Sequence, residues 1–253
     1  MQKEAYINSS VDNGIATIEF FHPSSNSLPG AILNKLATII TSVSEQADVK
    51  VLILQSGGEK AFCAGASFDE LIAIKTEAEG LAFFSGFAKV INAMRKSTKL
   101  IIGRIQGKAV GGGVGLVSAT DYAIATIDAS VKLSELAVGI GPFVVGPAVE
   151  RKTGTSGFTQ LAIDATMWRS ADWAKQYGLY AEVHSNVGEV DAAVKALSER
   201  LAKSSPEAMA ELKKAFWAGT EHWDMLLTER AAISGRLVLS DFTRNAINSF
   251  KAK

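Results

Sequence analysis

Gly111, Gly112 and Gly113, followed by Val114 and Gly115, are the stretch of this chain whose residue types could do chemistry most directly. Three consecutive glycines leave a backbone without side chains, able to adopt positive φ and to approach a bound molecule closely. The run follows a strand-like segment, Lys99–Gln106, and opens a helix expected over Val114–Ala119. A helix start carries N–H groups with no partner inside the helix, and these can hold an oxyanion. A second segment, Ala61–Leu71 (AFCAGASFDEL), is built on the same plan. Two such turns without an obvious nucleophile suit a reaction in which a thioester carbonyl becomes an enolate. The donors hold the developing charge, each worth about 3 kcal/mol in the transition state, and a single base moves the α-proton. On these residues alone the plainer reading, that both turns serve only close packing, stays open.

Other chemistries lack their parts. No G-x-G-x-x-G register fits residues 107–118, and no G-x-x-x-x-G-K-[ST] phosphate loop is present. His22, His184 and His222 are the only histidines, and none sits in a zinc-type pair or beside a G-x-S-x-G elbow. Lys and Arg total 26 and Asp and Glu total 26, with no basic stripe, which argues against nucleic acid or an anionic membrane as partner. The single cysteine, Cys63, suits a reducing compartment. The start of the chain lacks the apolar region of a signal peptide, and no apolar run is long enough to span a bilayer. The expectation is a soluble, cytoplasmic protein.

The elements that must position these turns read as an α/β core. Ala5–Val11 and Gly14–Phe21 form two strands around the turn Asp12-Asn13-Gly14. An amphipathic helix covers 31–44, and Val49–Gln55 is a strand buried on both faces. A long helix around Glu77–Ser97 carries Phe83, Phe84, Phe87 and Val90, and Tyr122–Thr126 is a further strand. Strand, glycine-containing turn and helix thus occur at 49–75 and again at 100–119. After Gly141-Pro142-Phe143 and Gly146-Pro147 a helix is expected near 148–152. From about Ser170 onward the reading is helical, with Ser205-Pro206-Glu207 a well-formed helix start.

Four ordered segments resemble the crotonase (enoyl-CoA hydratase/isomerase) superfamily. Ala61–Leu71 resembles its A-F-[CS]-A-G-A-D-[LF]-x-E-[LM] segment, and Ile105–Gly113 its V-x-G-x-A-x-G-G-G segment, with Asp121 matching the acid that follows. Leu133–Pro142 resembles F-x-x-P-E-x-x-x-G-x-x-P, and Arg169–Leu179 the stretch ending in A-x-x-x-G-L. The resemblance implies a spiral of repeated ββα units over residues 1–199 carrying an acyl-CoA site. It also implies a C-terminal helical region, 200–253, that assembles a homotrimer or a hexamer of two trimers. No cofactor is implied, since the coenzyme A thioester is itself the substrate.

Carried over by position, the N–H groups of Ala66 and Gly112 would form the oxyanion hole, and Glu135 would be the catalytic carboxylate. Without the resemblance Glu135 reads as a solvated residue complementing a helix start. Ala64 would meet the adenine and pantetheine end of coenzyme A through its backbone, with Gly65, Phe68, Gly111, Pro142 and Phe143 also against the substrate. Leu71, Phe83, Phe87 and Val138 would join them in the acyl pocket, though each also fits a plain core. Cys63 reads as a small packed residue. Phe250–Lys253 is similar to an F-x-x-K ending whose lysine, here Lys253, reaches a neighbouring subunit's coenzyme A.

The departures from the pattern carry the choice of reaction. Enoyl-CoA hydratases hold a second glutamate where this chain has Gly115. Adding water takes two carboxylates, whereas moving a double bond takes one, so Gly115 points to a 3-enoyl-CoA to 2-enoyl-CoA isomerase ahead of a hydratase. A hydrolase or decarboxylase of the same fold and a non-catalytic coenzyme A-binding subunit are further alternatives. Ser67 and Ser134 replace the usual Asp and Pro, and His22–Leu28 lacks the basic residue that often meets a phosphate. Whether Glu150 or Asp69 reaches the gap at Gly115 is a question for the structure.

Overall fold

The computed structural model describes residues 4–251, with side chains through Ile247. The chain opens with an antiparallel hairpin of β1 (Tyr6–Asp12) and β2 (Ile15–Phe21), in which Asp12 faces Ile15. Asn13 (φ 49°) and Gly14 (φ 79°) turn it with two successive positive φ angles, the conformation an Asn-Gly pair favours. Helix α1 (Gly30–Ser44) follows.

From there each long strand is succeeded by a short one: β3 (Val51–Ser56) by β4 (Ala61–Cys63), β5 (Leu100–Ile105) by β6 (Lys108–Val110), and β7 (Tyr122–Thr126) by β8 (Val131–Lys132). A last strand, β9 (Glu182–His184), completes the set. The long strands form a six-stranded sheet in the order β1-β2-β3-β5-β7-β9, parallel from β2 onward, while the short ones form a parallel β4-β6-β8 sheet. β3 and β5 are almost wholly apolar and buried, as strands covered on both faces must be. After each short strand the chain turns into helical structure: α2 (Phe68–Ala73) and α3 (Glu77–Lys96) after β4, α4 (Gly112–Ala119) after β6, and a 3₁₀ turn, Leu136–Val138, followed by α5 (Gly146–Ile163), after β8. This is the expected spiral of ββα units. The C-terminal ends of β4, β6 and β8 lie side by side, so the three turns that follow them meet in one place.

Two expectations need correction. The stretch after Ser170 is not all helical, because β9 adds an edge strand beside β7 between α6 (Ala171–Gln176) and α7 (Val187–Ala202). Three half-buried residues give no period to read. The helix expected at 148–152 is instead the longer α5, interrupted at Gly154 (φ 68°, ψ 168°), where glycine permits a break that leaves too short a pattern on either side.

The end of the chain forms α8 (Pro206–Phe216), α9 (Trp223–Leu237) and α10 (Asp241–Lys251). Helix α9 lies on α3 at the distance of backbone contact: a Cβ on Gly80 would stand 2.6 Å from the Cα of Gly235. Trp217, Trp223 and Leu227 are buried in the same core as β2 and β3. Residues 200–247 therefore dock on the core of their own chain. Lys253, expected to reach coenzyme A, lies outside the described residues.

Candidate active site

The two glycine turns touch. Gly65 (φ 93°) and Gly111 (φ 53°) hold backbone conformations that side chains disfavour. A Cβ on Gly113 would lie 2.3 Å from the carbonyl oxygen of Cys63, so only glycine lets the start of α4 sit against the end of β4. A Cβ on Gly112 would fall 2.3 Å from the ring of Phe87, which closes the other side. The first turn is fixed from outside by the loop before α1. Leu28 N–H donates to Gly65 O (2.8 Å), Ser67 N–H to Leu28 O (3.0 Å) and Ser27 Oγ to Ala66 O (2.7 Å). Within this network neither Ala66 N–H nor Gly112 N–H takes an acceptor among the described residues. Two unpaired donors on adjoining turns are the kind of arrangement an oxyanion hole requires.

Glu135 reaches this place from the end of β8. A Cβ on Gly111 would stand 3.0 Å from Glu135 Oε1, so the carboxyl lies directly against the second glycine turn. The residue as a whole is half-buried, but its Oε2 is shielded from solvent and has no hydrogen-bond partner. Burial pushes its pKa up to about 7, with the backbone amides of Glu135 and Ser134 pulling the other way. Such a group exchanges a proton readily near neutrality. Cys63 differs: burial raises its thiol to about 12, which keeps it protonated and makes it a packing residue.

A cavity of about 650 Å³ opens over these groups. It is lined by Ala64, Gly65, Ala66, Phe68, Gly111, Gly112, Glu135, Pro142 and Phe143, so nine of the ten positions singled out in the sequence come together, Lys253 excepted. Phe68 is 41% exposed and stands at its edge. Leu71, Phe83, Phe87 and Val138 line it as well, and its wall is mostly apolar. The size and character suit an acyl chain.

Glu135 is the one carboxylate on this wall among the described residues. The place where Gly115 leaves room is filled by Val145, whose Cγ1 would be 2.5 Å from a Cβ there. Neither candidate substitute reaches it, since Asp69 is exposed and Glu150 is exposed and accepts a hydrogen bond from Thr155. The other departures have local explanations. Ser67 caps α2 by accepting from Glu70 N–H (3.3 Å), and Ser134 lines the cavity.

Sequence reasoning missed several residues. Asn26, buried and at φ 57°, donates to Gly57 O and Ala61 O (both 2.9 Å) and so pins the loop that holds the first turn. Its signal was an asparagine in a Ser-rich loop, which tolerates positive φ better than most residues. Phe84, Val145, Lys132 and Ser234 also line the cavity, the last from α9. Nothing local in the sequence marks Ser234, which arrives by tertiary packing.

The sequence profile of the enoyl-CoA hydratase/isomerase family matches residues 10–247. The chain belongs to this family. Among curated relatives, a protein of Bacillus subtilis named "Probable enoyl-CoA hydratase" is 27% identical over 249 residues, covering 98% of this chain and 96% of its own. The peroxisomal Delta(3,5)-Delta(2,4)-dienoyl-CoA isomerase of Arabidopsis thaliana is 28% identical over 189 residues, 69% of this chain and 66% of its own. The crystal structure of an enoyl-CoA hydratase from Bacillus halodurans superposes with a TM-score of 0.89 at 20% identity, over 96% of this chain and 99% of that one, a likeness of fold. Family membership makes the chain an enzyme of the crotonase type, with an acyl-CoA as the fitting substrate. No helix among the described residues is long and apolar enough to cross a membrane.

Proposed function

We propose that this member of the family is an isomerase that converts a 3-enoyl-CoA to the 2-enoyl-CoA. The observation that carries the reading is the single carboxylate on the cavity wall, with Val145 occupying the space beside Gly115. The thioester oxygen accepts from Ala66 N–H and Gly112 N–H. Ionised Glu135 takes a proton from C2, the electrons of that C–H bond pass into a dienolate whose charge the two donors hold, and Glu135 returns the proton to C4. The double bond then lies between C2 and C3, and no atom is gained or lost. A pKa near 7 serves both halves of the shuttle, because the carboxylate must take the proton and the acid must release it. The reaction draws on no cofactor.

The name of the Bacillus subtilis relative, matched over nearly its whole length, supports hydration as the second reading, with Glu135 alone activating water. By the family resemblance we further propose a homotrimer, or a pair of trimers, in the cytoplasm, a state that light scattering on the purified protein reads directly. Incubation with a medium-chain 3-enoyl-CoA separates the two reactions. A product of unchanged mass that co-elutes with the 2-enoyl isomer supports isomerisation, whereas a product heavier by one water overturns it in favour of hydration.

A further inference from the structure

Helix α4 begins at the oxyanion donors, and its opposite end, about 12 Å away at 1.5 Å per residue, carries a second set of charged groups. Asp121 is buried there, and both of its carboxylate oxygens are engaged: Oδ2 accepts from Ile101 N–H (2.7 Å) and Lys213 Nζ (2.7 Å), and Oδ1 from Trp217 Nε1 (2.9 Å). Lys213 is itself buried, so this ion pair is closed on itself. Two further cations stand beside it. Lys152 Nζ donates to the main-chain oxygen of Asp121 (3.0 Å), and Arg151 donates to Phe216 O while its guanidinium lies 4.0 Å above the ring of Trp217. Neither has a carboxylate within ion-pair distance among the described residues.

Arg151 and Lys152 line a cavity of about 620 Å³ together with Phe216, Gly219, Thr220 and Trp223, and Asp121 is the one acid on its wall. It shares no residue with the acyl cavity. Three cations against one carboxylate leave two positive charges, and the two cations without a carboxylate partner keep further N–H donors to offer. A phosphate group near neutrality carries about two negative charges and several acceptor oxygens, the complement of an arginine fork beside a lysine. We propose that this cavity binds a phosphate group, held by Arg151 and Lys152. Burial pushes the Lys152 amine down to about 8, with Asp121 pulling it back up and the neighbouring Arg151 and Lys213 adding to the fall.

The test is protection of Lys152 from acylation. The wild-type protein is treated with acetic anhydride at constant ionic strength while inorganic phosphate, or glycerol phosphate in a parallel series, replaces chloride, and each lysine is followed by peptide mass spectrometry. At a phosphate concentration ten times its dissociation constant, acylation of Lys152 slows about tenfold, while exposed Lys75 is unaffected. Protection at lower concentration by glycerol phosphate assigns the site to a phosphorylated metabolite, and the reverse order assigns it to free phosphate. Protection persists with the acyl site saturated and is lost in Arg151→Gln. Acylation of Lys152 that slows no more than that of Lys75, up to tens of millimolar of either probe, overturns the proposal without recourse to any variant.

Discussion

Replacing Glu135 by glutamine stabilises the protein above neutrality and leaves its stability unchanged in mild acid. The carboxyl ordinarily titrates near 4.5 and in the folded chain near 7, because its Oε2 is shut away from water without a partner. Between those values the native state binds more protons than the unfolded state, so stability falls as pH rises. The contribution is fully present below the unfolded value and is lost by the time pH has passed the folded one. At about 1.4 kcal/mol per pH unit over the interval from 4.5 to about 7, the ionised carboxylate costs the fold about 3–4 kcal/mol. Glutamine is nearly the same size and cannot ionise. Urea unfolding of both proteins at about pH 8 and about pH 4.5 reads the effect. The variant gains about 3–4 kcal/mol at the higher pH, about 6–15 °C in Tm for a chain of this length, and next to nothing at the lower. An equal difference at both pH values, or a loss at the higher one, refutes the account of a buried, unpartnered carboxyl.

Other positions test the packing. Gly115→Ala places a Cβ 2.5 Å from Val145 Cγ1 and lowers stability by about 1–3 kcal/mol, part of which Val145→Ala restores in a urea double-mutant cycle. Gly113→Ala forces the two turns apart at the Cys63 carbonyl, 2.3 Å from the new Cβ, and kcat falls about 10²-fold in a steady-state assay with the 3-enoyl-CoA while the protein remains folded by circular dichroism. Asp121→Ala leaves Lys213 buried without its carboxylate and costs about 3–5 kcal/mol by urea unfolding.

What could be read from the chain follows from where information is local. The hairpin turn at Asn13-Gly14, the apolar strands β3 and β5 and the glycine run all declare themselves through residue type and period. The short strands β4, β6 and β8 have two or three residues each, too few to show a period, yet they align the three turns of the site. β9 and the broken α5 were hidden for the same reason. The meeting of Ala66, Gly112 and Glu135 came from the resemblance, since no spacing rule joins positions so far apart in sequence. Burial of Glu135 ran against the local expectation of a solvated residue, because the cavity that shields it is built from α3 and the 140–145 segment. Val145 beside Gly115, Asn26 beneath the loop and the paired cations at Arg151 and Lys152 are tertiary facts with no local trace.

In the proposed isomerisation, Glu135 alone moves the proton. The most direct test of that role is the turnover of a 3-enoyl-CoA by wild type and Glu135→Gln, with acyl-CoA binding measured on both by calorimetry. The expected kcat of Glu135→Gln is lower by about 10²–10⁴-fold with affinity unchanged, since glutamine keeps the shape and loses the base. Turnover by the variant within a few-fold of wild type contradicts it.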